Sequence, residues 1–111
     1  MDIRQITKDY SVAGQIMPEE VQAIAAAGFK TLICNRPDNE DPGQPSADGV
    51  EAAARAAGLE FRHIPVVSSQ LTQDNVEDQR RALEELPAPV LAYCRSGTRC
   101  TNLHLLIQQG K

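Results

Sequence analysis

The chain has 111 residues with 41% apolar and 23% charged content, which predicts a single folded domain over residues 1–111 built around one core. Its net charge of −4 and its 11 scattered basic residues argue against a nucleic-acid partner, because phosphate backbones select clustered positive charge. No apolar run approaches the roughly 20 residues of a membrane span and no signal-peptide pattern opens the chain, so we expect a cytoplasmic protein without membrane insertion.

The first half of the chain predicts two strands, a helix and a long loop. Residues 10–15 are typical of a short edge strand. Pro18 and the two acids after it open a helix that runs to Gly28. Residues 29–34 form an apolar, partly β-branched run that suits a buried strand. The prolines and short polar residues of segment 35–45 then predict a long loop.

The second half predicts helices and strands in alternation. Ser46 is a good N-cap for a helix through about Ala57, and residues 59–67 form the next predicted strand. A third helix begins near Thr72, and residues 90–93 are a short buried strand. After a six-residue loop, residues 101–109 have the apolar spacing of a final helix.

This alternation predicts an α/β fold with a central, mostly parallel sheet and helices on both faces. Ligands of such sheets usually bind beyond the carboxyl ends of the strands. Two predicted loops, residues 35–45 and 94–99, follow strands at those ends. We therefore expect both loops to line one cleft.

The segment Cys-Arg-Ser-Gly-Thr-Arg, between a predicted strand and a predicted helix, is the strongest chemical signal in the chain. The amides and the positive dipole end of the following helix stabilise bound anions and thiolates. Gly97 permits the positive φ that turns successive amides inward, and arginine forks bind tetrahedral anions. These features predict Cys94 as an acidic, nucleophilic thiolate. The predicted anion-binding loop consists of Arg95, Ser96, Gly97, Thr98 and Arg99.

The other cysteines and the two histidines give weaker signals. Cys34 lies in an apolar run and is predicted to be a core thiol. Cys100 is either a packing residue or a second thiol that captures an oxidised or persulfidated Cys94. His63 and His104 stand alone, and no Cys-x-x-Cys pair occurs, so we predict no metal site and no cofactor.

Three segments carry a resemblance to a known family: Gly14-Gln15, residues 31–38 (Thr-Leu-Ile-Cys-Asn-Arg-Pro-Asp) and residues 93–100 (Tyr-Cys-Arg-Ser-Gly-Thr-Arg-Cys). The chain resembles the bacterial beta-lactamase-hydrolase-like, phosphatase-like domain family. The resemblance implies a fold similar to dual-specificity phosphatases, and a role in sulfide and persulfide metabolism beside persulfide dioxygenase-type or sulfide:quinone oxidoreductase-type partners. Family members include both phosphatases and sulfurtransferases. Since such folds usually carry further helical cover after the last helix, we expect a short or truncated form of the domain.

Two observations separate phosphoryl transfer from sulfur transfer. Cysteine phosphatases use a Cys-x5-Arg loop followed by serine or threonine, whereas this chain has Cys-x4-Arg followed by Cys100, which resembles the rhodanese loop. The shorter ring suits the single outer sulfur of a persulfide. Segment 63–69, where phosphatases of this fold usually carry a general acid, contains no carboxylate. The remaining candidate acids are predicted to be capping or solvated residues: Asp38, Asp41 and Asp74.

These observations make sulfur transfer the main hypothesis from the sequence. Cys94 would take sulfane sulfur from thiosulfate or glutathione persulfide and pass it to a thiol acceptor, while Arg95 and Arg99 bind the donor. The alternative is a protein-tyrosine or dual-specificity-type phosphatase that acts on a phosphorylated substrate through a Cys94 phosphocysteine. A third hypothesis is a thiol redox or anion-binding module. The residues predicted to shape the cleft rim are Asn35, Arg36 and Asp38.

Overall fold

A computed structural model describes residues 1–110 of the chain. Its strands are β1 (Arg4–Thr7), β2 (Tyr10–Ala13), β3 (Thr31–Cys34), β4 (Glu60–His63) and β5 (Val90–Tyr93). Its helices are α1 (Val21–Ala26), α2 (Ala47–Ala56), α3 (Gln73–Glu85) and α4 (Thr98–Gln109), with a 3-10 turn at Pro18–Glu20 before α1. The strands form one mixed sheet in the order β1-β2-β5-β3-β4.

All strands of this sheet except β1 run parallel. β5 lies between β2 and β3, and β4 pairs with β3. This arrangement confirms the predicted α/β domain with a mostly parallel sheet. The prediction of an edge strand over residues 10–15 is wrong, because β1 pairs antiparallel with β2 and places Arg4 opposite Val12. The exposed sequence of β1, Arg-Gln-Ile-Thr, has no apolar alternation that would reveal it as a strand.

Helices cover both faces of the sheet, and successive strand residues point to opposite faces. Leu32 belongs to the core cluster beneath α1 and α2. Ile33 belongs to the cluster beneath α3 and α4, which also contains Cys94 and Cys100. The predicted nucleophile therefore lies on the side of the sheet that α3 and α4 cover.

Side-chain caps set the first turns of two helices as predicted. The Ser46 hydroxyl accepts a hydrogen bond from Gly49 N at 3.0 Å and caps α2. The Thr72 hydroxyl accepts from Asn75 N at 3.1 Å, and the Asn75 side chain accepts from Thr72 N at 3.0 Å, which completes a reciprocal cap on α3. No helix in residues 1–110 is both long enough and apolar enough to cross a bilayer.

The start of α4 differs from the prediction. The helix begins at Thr98, not at residue 101, and Gly97 is its N-cap with a φ of +91°. Arg99 and Cys100 therefore lie in the first helical turn, where backbone N–H groups have no partner within the helix. This boundary brings the end of the predicted loop under the direct influence of the helix N-terminus.

Candidate active site

The Cys94 sulfur lies at the carboxyl end of β5 inside a ring of backbone amides. The Gly97 N–H donates to Cys94 Sγ at 3.0 Å. The backbone N–H groups of Ser96, Arg99 and Cys100 also help to lower the pKa of this thiol. The ring thus directs several partial positive charges at one atom, which is the arrangement that binds an anion.

The amino-terminal strands pack directly against this ring. Cys94 N donates to the Ala13 carbonyl at 3.3 Å, and Arg4 Nη2 donates to the Ser96 carbonyl at 2.6 Å. A Cβ added to Gly97 would collide with the Arg4 guanidinium and would lie 3.4 Å from the Ala13 carbonyl group. Because Gly97 also has a φ of +91°, glycine is the residue that this position requires.

These surroundings lower the pKa of the Cys94 thiol to about 5. The largest cause is a hydrogen bond from the Cys100 side chain; the ring amides add to it, and burial of the thiol opposes it. The pKa of Cys100 is raised well above its ordinary value, because this thiol is fully buried and donates to the Cys94 thiolate. At neutral pH Cys94 is therefore a thiolate and Cys100 is its protonated donor, a role that the sequence did not suggest.

Arg99 is anchored so that part of its guanidinium stays free for a ligand. Nη1 and Nη2 donate to the two Glu40 carboxylate oxygens at 2.8 and 2.9 Å, and Nη1 also donates to the Val66 carbonyl at 2.8 Å. Within residues 1–110, these bonds leave the Nε–H and one Nη2–H of Arg99 for a ligand. Adjacent N–H groups of this kind form a fork that suits two oxygens of a tetrahedral anion.

Glu40 and Asp41 join loop 35–45 to the cysteine loop. Arg36 is almost fully buried and donates to Glu40 through Nε at 2.8 Å and to Asp41 through Nη2 at 2.6 Å. Glu40 also binds Arg99, and Asp41 lies 3.3 Å from Arg95 Nε. The hydrogen bond from Arg99, and then that from Arg36, lower the Glu40 pKa to about 2 against the effect of burial. The two loops do meet at one site, and Glu40 is a positioning residue that sequence analysis missed.

The three predicted rim residues occupy different positions. Asn35 is fully buried, so the prediction that it shapes the rim is wrong. Arg36 is 3% exposed and forms the bridge to Glu40 and Asp41. Asp38 is exposed, but its Oδ1 accepts the Ala47 N–H at 2.8 Å and so completes the first turn of α2.

The other side chains of the cysteine loop face solvent. The Arg95 side chain is 69% exposed, and the Ser96 and Thr98 hydroxyls lie 3.0 Å apart. Of the two loop arginines, Arg99 interacts electrostatically with the Cys94 thiolate, whereas Arg95 pairs with Asp41. Arg99 is therefore the arginine that acts directly at the sulfur.

A buried polar network supports the ring from inside the domain. The Tyr10 hydroxyl donates to the Cys100 carbonyl at 2.8 Å and accepts from Gln79 Nε2 at 3.3 Å. Gln79 and Asn35 exchange two side-chain hydrogen bonds at 2.9 and 3.1 Å, and Asn35 Nδ2 also donates to the Ile64 carbonyl at 3.0 Å. Because Gln79 and Asn35 are fully buried, the network fixes the first turn of α4 against β2, β3 and α3.

The histidines and the remaining candidate acid have structural surroundings. His63 Nε2 lies 2.9 Å from the Arg36 carbonyl, and the His104 ring stacks on Tyr10 with centroids 4.7 Å apart. Asp74 is exposed in the first turn of α3. In the described part of the chain, no three histidine, cysteine or acidic side chains are grouped to hold a metal ion.

Comparison with known sequences gives matches over nearly the whole chain. The family model described as beta-lactamase hydrolase-like protein, phosphatase-like domain, matches residues 2–111. A beta-lactamase hydrolase-like protein of Xylella fastidiosa is 36% identical over 106 residues, which are 96% of this chain and 25% of that protein. The chain thus spans about a quarter of the length of this curated relative.

Solved structures share the fold. A candidate phosphatase from Neisseria meningitidis is 36% identical, with a TM-score of 0.87 over 94% of this chain and 74% of that one. The core catalytic domain of the PP-IP phosphatase SIW14 from S. cerevisiae, 12% identical, reaches a TM-score of 0.75 over 96% of this chain and 64% of that one. These likenesses confirm the predicted cysteine-phosphatase-like fold. Together with the family match, they show that the chain belongs to the phosphatase-like domain family of beta-lactamase hydrolase-like proteins.

Proposed function

We propose that this domain is a cysteine-dependent phosphatase in which Cys94 is the nucleophile. The observation that carries the proposal is the Cys94 thiolate enclosed by amide donors, with the free fork of Arg99 beside it. The family supports it as well, since the matched model is a phosphatase-like domain and the Neisseria meningitidis relative is a candidate phosphatase. Phosphoryl transfer therefore replaces sulfur transfer as the first candidate.

The reaction proceeds in two displacements at phosphorus. Cys94 Sγ attacks phosphorus, a P–S bond forms, and the bond to the leaving oxygen breaks with its electron pair on that oxygen. The ring amides and Arg99 stabilise the negative charge on the non-bridging oxygens. Water then attacks the phosphocysteine, which releases inorganic phosphate and restores the thiolate. The low Cys94 pKa favours the second step, because it makes the thiolate a good leaving group.

Glu40, the carboxylate that orients Arg99, is a poor proton donor for the leaving group. Glu40 is ionised at neutral pH, because hydrogen bonds from Arg99 and Arg36 lower its pKa to about 2. Asp41 is paired with Arg36 and lies beside Arg95. Aryl phosphates, whose phenolate leaves without full protonation, are therefore the expected substrates in preference to alkyl phosphates.

Sulfane sulfur transfer is the second candidate, and the length of the ring favours it. Four residues separate Cys94 from Arg99, as in the rhodanese loop that this segment resembles. In this reaction Cys94 Sγ attacks the outer sulfur of thiosulfate, the S–S bond breaks, and sulfite leaves with the bonding pair. An acceptor thiolate then takes the outer sulfur from the Cys94 persulfide. The persulfide dioxygenase-type and sulfide:quinone oxidoreductase-type partners remain predictions that belong to this second candidate.

Parallel turnover assays distinguish the two candidates. One assay follows p-nitrophenolate release from p-nitrophenyl phosphate, and the other follows thiocyanate formation from thiosulfate and cyanide. We expect phosphate-ester turnover that falls about a thousandfold in Cys94→Ser and is retained in the control Cys34→Ala. Thiocyanate formation that depends on Cys94, without phosphate-ester turnover, would contradict the phosphatase proposal and support the second candidate.

A further inference from the structure

We propose that Arg4 is a positioning residue of the active site, which holds the Ser96–Gly97 peptide with its N–H group directed at the Cys94 sulfur. Both polar groups of this peptide are hydrogen-bonded. Its carbonyl oxygen accepts from Arg4 Nη2 at 2.6 Å, and its N–H donates to Cys94 Sγ at 3.0 Å. The peptide is trans, so its C=O and N–H point in opposite directions. A donor that holds the carbonyl outward therefore also holds the N–H inward.

The Ser96–Gly97 peptide needs such a restraint because glycine allows it to rotate. Gly97 has a φ of +91° and a ψ of −9°, which are typical of the third residue of a type II turn. The related type I turn has a φ of about −90° at this residue, because the preceding peptide is rotated by about 180°. Glycine adopts both signs of φ about equally readily, so it does not select the inward N–H by itself. In the rotated form the Ser96 carbonyl oxygen would face the thiolate and repel it.

The amino-terminal part of the chain binds the outer side of the loop at two successive carbonyls. Gln15 N donates to the Arg95 carbonyl at 3.3 Å, next to the bond from Arg4 to the Ser96 carbonyl. The chain passes so close that a Cβ on Gly14 would lie 3.0 Å from the Arg95 carbonyl oxygen. The bond from Gln15 comes from the backbone, whereas the bond from Arg4 comes from a side chain. Arg4 is therefore the contact that a substitution can remove while the path of the chain is kept.

Strand β1 carries Arg4 to this position, although its side chains add little to the core. All four residues of β1 are exposed, and the strand lies at the edge of the sheet with Arg4 opposite Val12 of β2. The next residue of β2, Ala13, accepts the Cys94 N–H through its carbonyl at 3.3 Å. The pairing of β1 with β2 thus sets the guanidinium beside the cysteine loop, where it makes a short, charge-assisted hydrogen bond. This placement gives the polar strand β1 a role in the site.

The pH dependence of Cys94 alkylation tests the proposal without turnover. The inference rests on the proposed role of Cys94 as the nucleophile, but thiolate formation is measured separately, by iodoacetamide labelling of the tryptic peptide of residues 82–95. Arg4→Met keeps an unbranched side chain and removes the donor. Because the inward N–H is then held less firmly, we expect the pH midpoint of alkylation to rise by roughly half a unit. Arg4→Lys retains a charged donor, so its midpoint should lie between those of the wild type and Arg4→Met.

The Gly97 amide proton gives a second readout that reports on this one peptide. In the wild type its NMR chemical shift should follow the titration of Cys94, because the Gly97 N–H donates to Cys94 Sγ. In Arg4→Met the rotated form of the peptide becomes populated, so the amplitude of this pH-dependent shift should fall by about twofold. A loss of stability without rotation of the peptide would leave the amplitude of the folded protein unchanged.

Lys8→Met is the matched control for the charge of Arg4. Lys8 is exposed in the turn between β1 and β2 and carries the same charge, so its loss should leave both readouts at their wild-type values. Equal midpoints and equal Gly97 amplitudes in the wild type and Arg4→Met would overturn the proposal. An equal change in Lys8→Met would also overturn it, because the effect would then come from charge alone. Failure of the phosphatase proposal would instead appear as absent phosphate-ester turnover in the wild type, with both readouts as expected.

Discussion

Two loops at the carboxyl ends of neighbouring strands build this site by different means. Residues 94–99 act mainly through the backbone, with inward-pointing amides and the left-handed Gly97 next to the Cys94 sulfur. Residues 35–45 act through side-chain charge, since Glu40 orients Arg99 with two hydrogen bonds. The thiolate is therefore stabilised by its own segment of chain, whereas Arg99 is oriented by a segment that is distant in sequence. Substitutions in residues 94–99 should therefore abolish catalysis, and substitutions in residues 35–45 should weaken substrate binding.

Gly97→Ala disturbs the backbone of loop 94–99 and has the largest expected effect on turnover. The added Cβ displaces the flexible Arg4 guanidinium, and alanine disfavours a φ of +91°, so the backbone at Gly97 has to rearrange beside Cys94. We expect kcat/KM for p-nitrophenyl phosphate to fall by about a hundredfold and the free energy of unfolding by about 1–2 kcal/mol. Gly110→Ala is the matched control, because its Cβ would make only ordinary contacts at the end of α4. Wild-type turnover in Gly97→Ala would show that the ring geometry does not matter.

Glu40→Gln removes the carboxylate through which loop 35–45 orients Arg99, and it should have an intermediate effect on turnover. The neutral amide cannot accept both Arg99 hydrogen bonds, so the free fork of Arg99 loses its fixed direction. We expect KM for the phosphate ester to rise about tenfold, while the rate at which iodoacetamide alkylates Cys94 stays nearly constant.

Glu51→Gln serves as the control for Glu40, because Glu51 forms an exposed helix-surface pair with Arg55. This variant should change neither quantity. An unchanged KM in Glu40→Gln would mean that Arg99 does not depend on Glu40 for its orientation, and the contrast between the two loops would fail.

Cys100→Ala has the smallest expected effect at neutral pH. It removes the hydrogen bond that most lowers the Cys94 pKa from its ordinary value to about 5. Because the charged thiolate loses a donor, the pH midpoint of Cys94 alkylation should rise, by roughly one unit. At pH 7 the thiolate still dominates, so turnover should fall by less than about twofold, with a larger loss near pH 5. Cys100→Ser should restore part of the shift; a midpoint that stays constant in Cys100→Ala would rule out the donor role.

The fold class and the position of the cysteine loop at a strand end could be predicted because their signals are local. Apolar strands, the caps at Ser46 and Thr72, and the cysteine loop each lie within a few residues of chain. The strand β1 could not be predicted, because its polar residues become a strand only by pairing with β2. The start of α4 was missed because its N-cap, Gly97, carries no side chain that signals a cap.

Local sequence patterns could not predict the charge network that joins Arg36, Glu40 and Arg99. Glu40 binds Arg99 across 59 residues, a distance at which sequence spacing carries no geometric meaning. Arg36 and Glu40 are four residues apart, but that spacing indicates contact only on a helix, and these residues lie in a loop. The deep position of Asn35 was missed for a related reason, because its partner Gln79 is a buried polar residue on a helix that otherwise looks amphipathic.

Trapping the covalent intermediate tests most directly whether Cys94 attacks phosphorus. Wild-type protein is quenched in acid during turnover of p-nitrophenyl phosphate and digested with trypsin. The mass of the peptide of residues 82–95 is then measured by mass spectrometry. We predict a gain of about 80 Da on this peptide, located at Cys94 and missing from Cys94→Ser. Turnover with an unmodified Cys94 peptide, or with the phosphoryl group on another residue, would contradict the assignment of Cys94 as the phosphatase nucleophile.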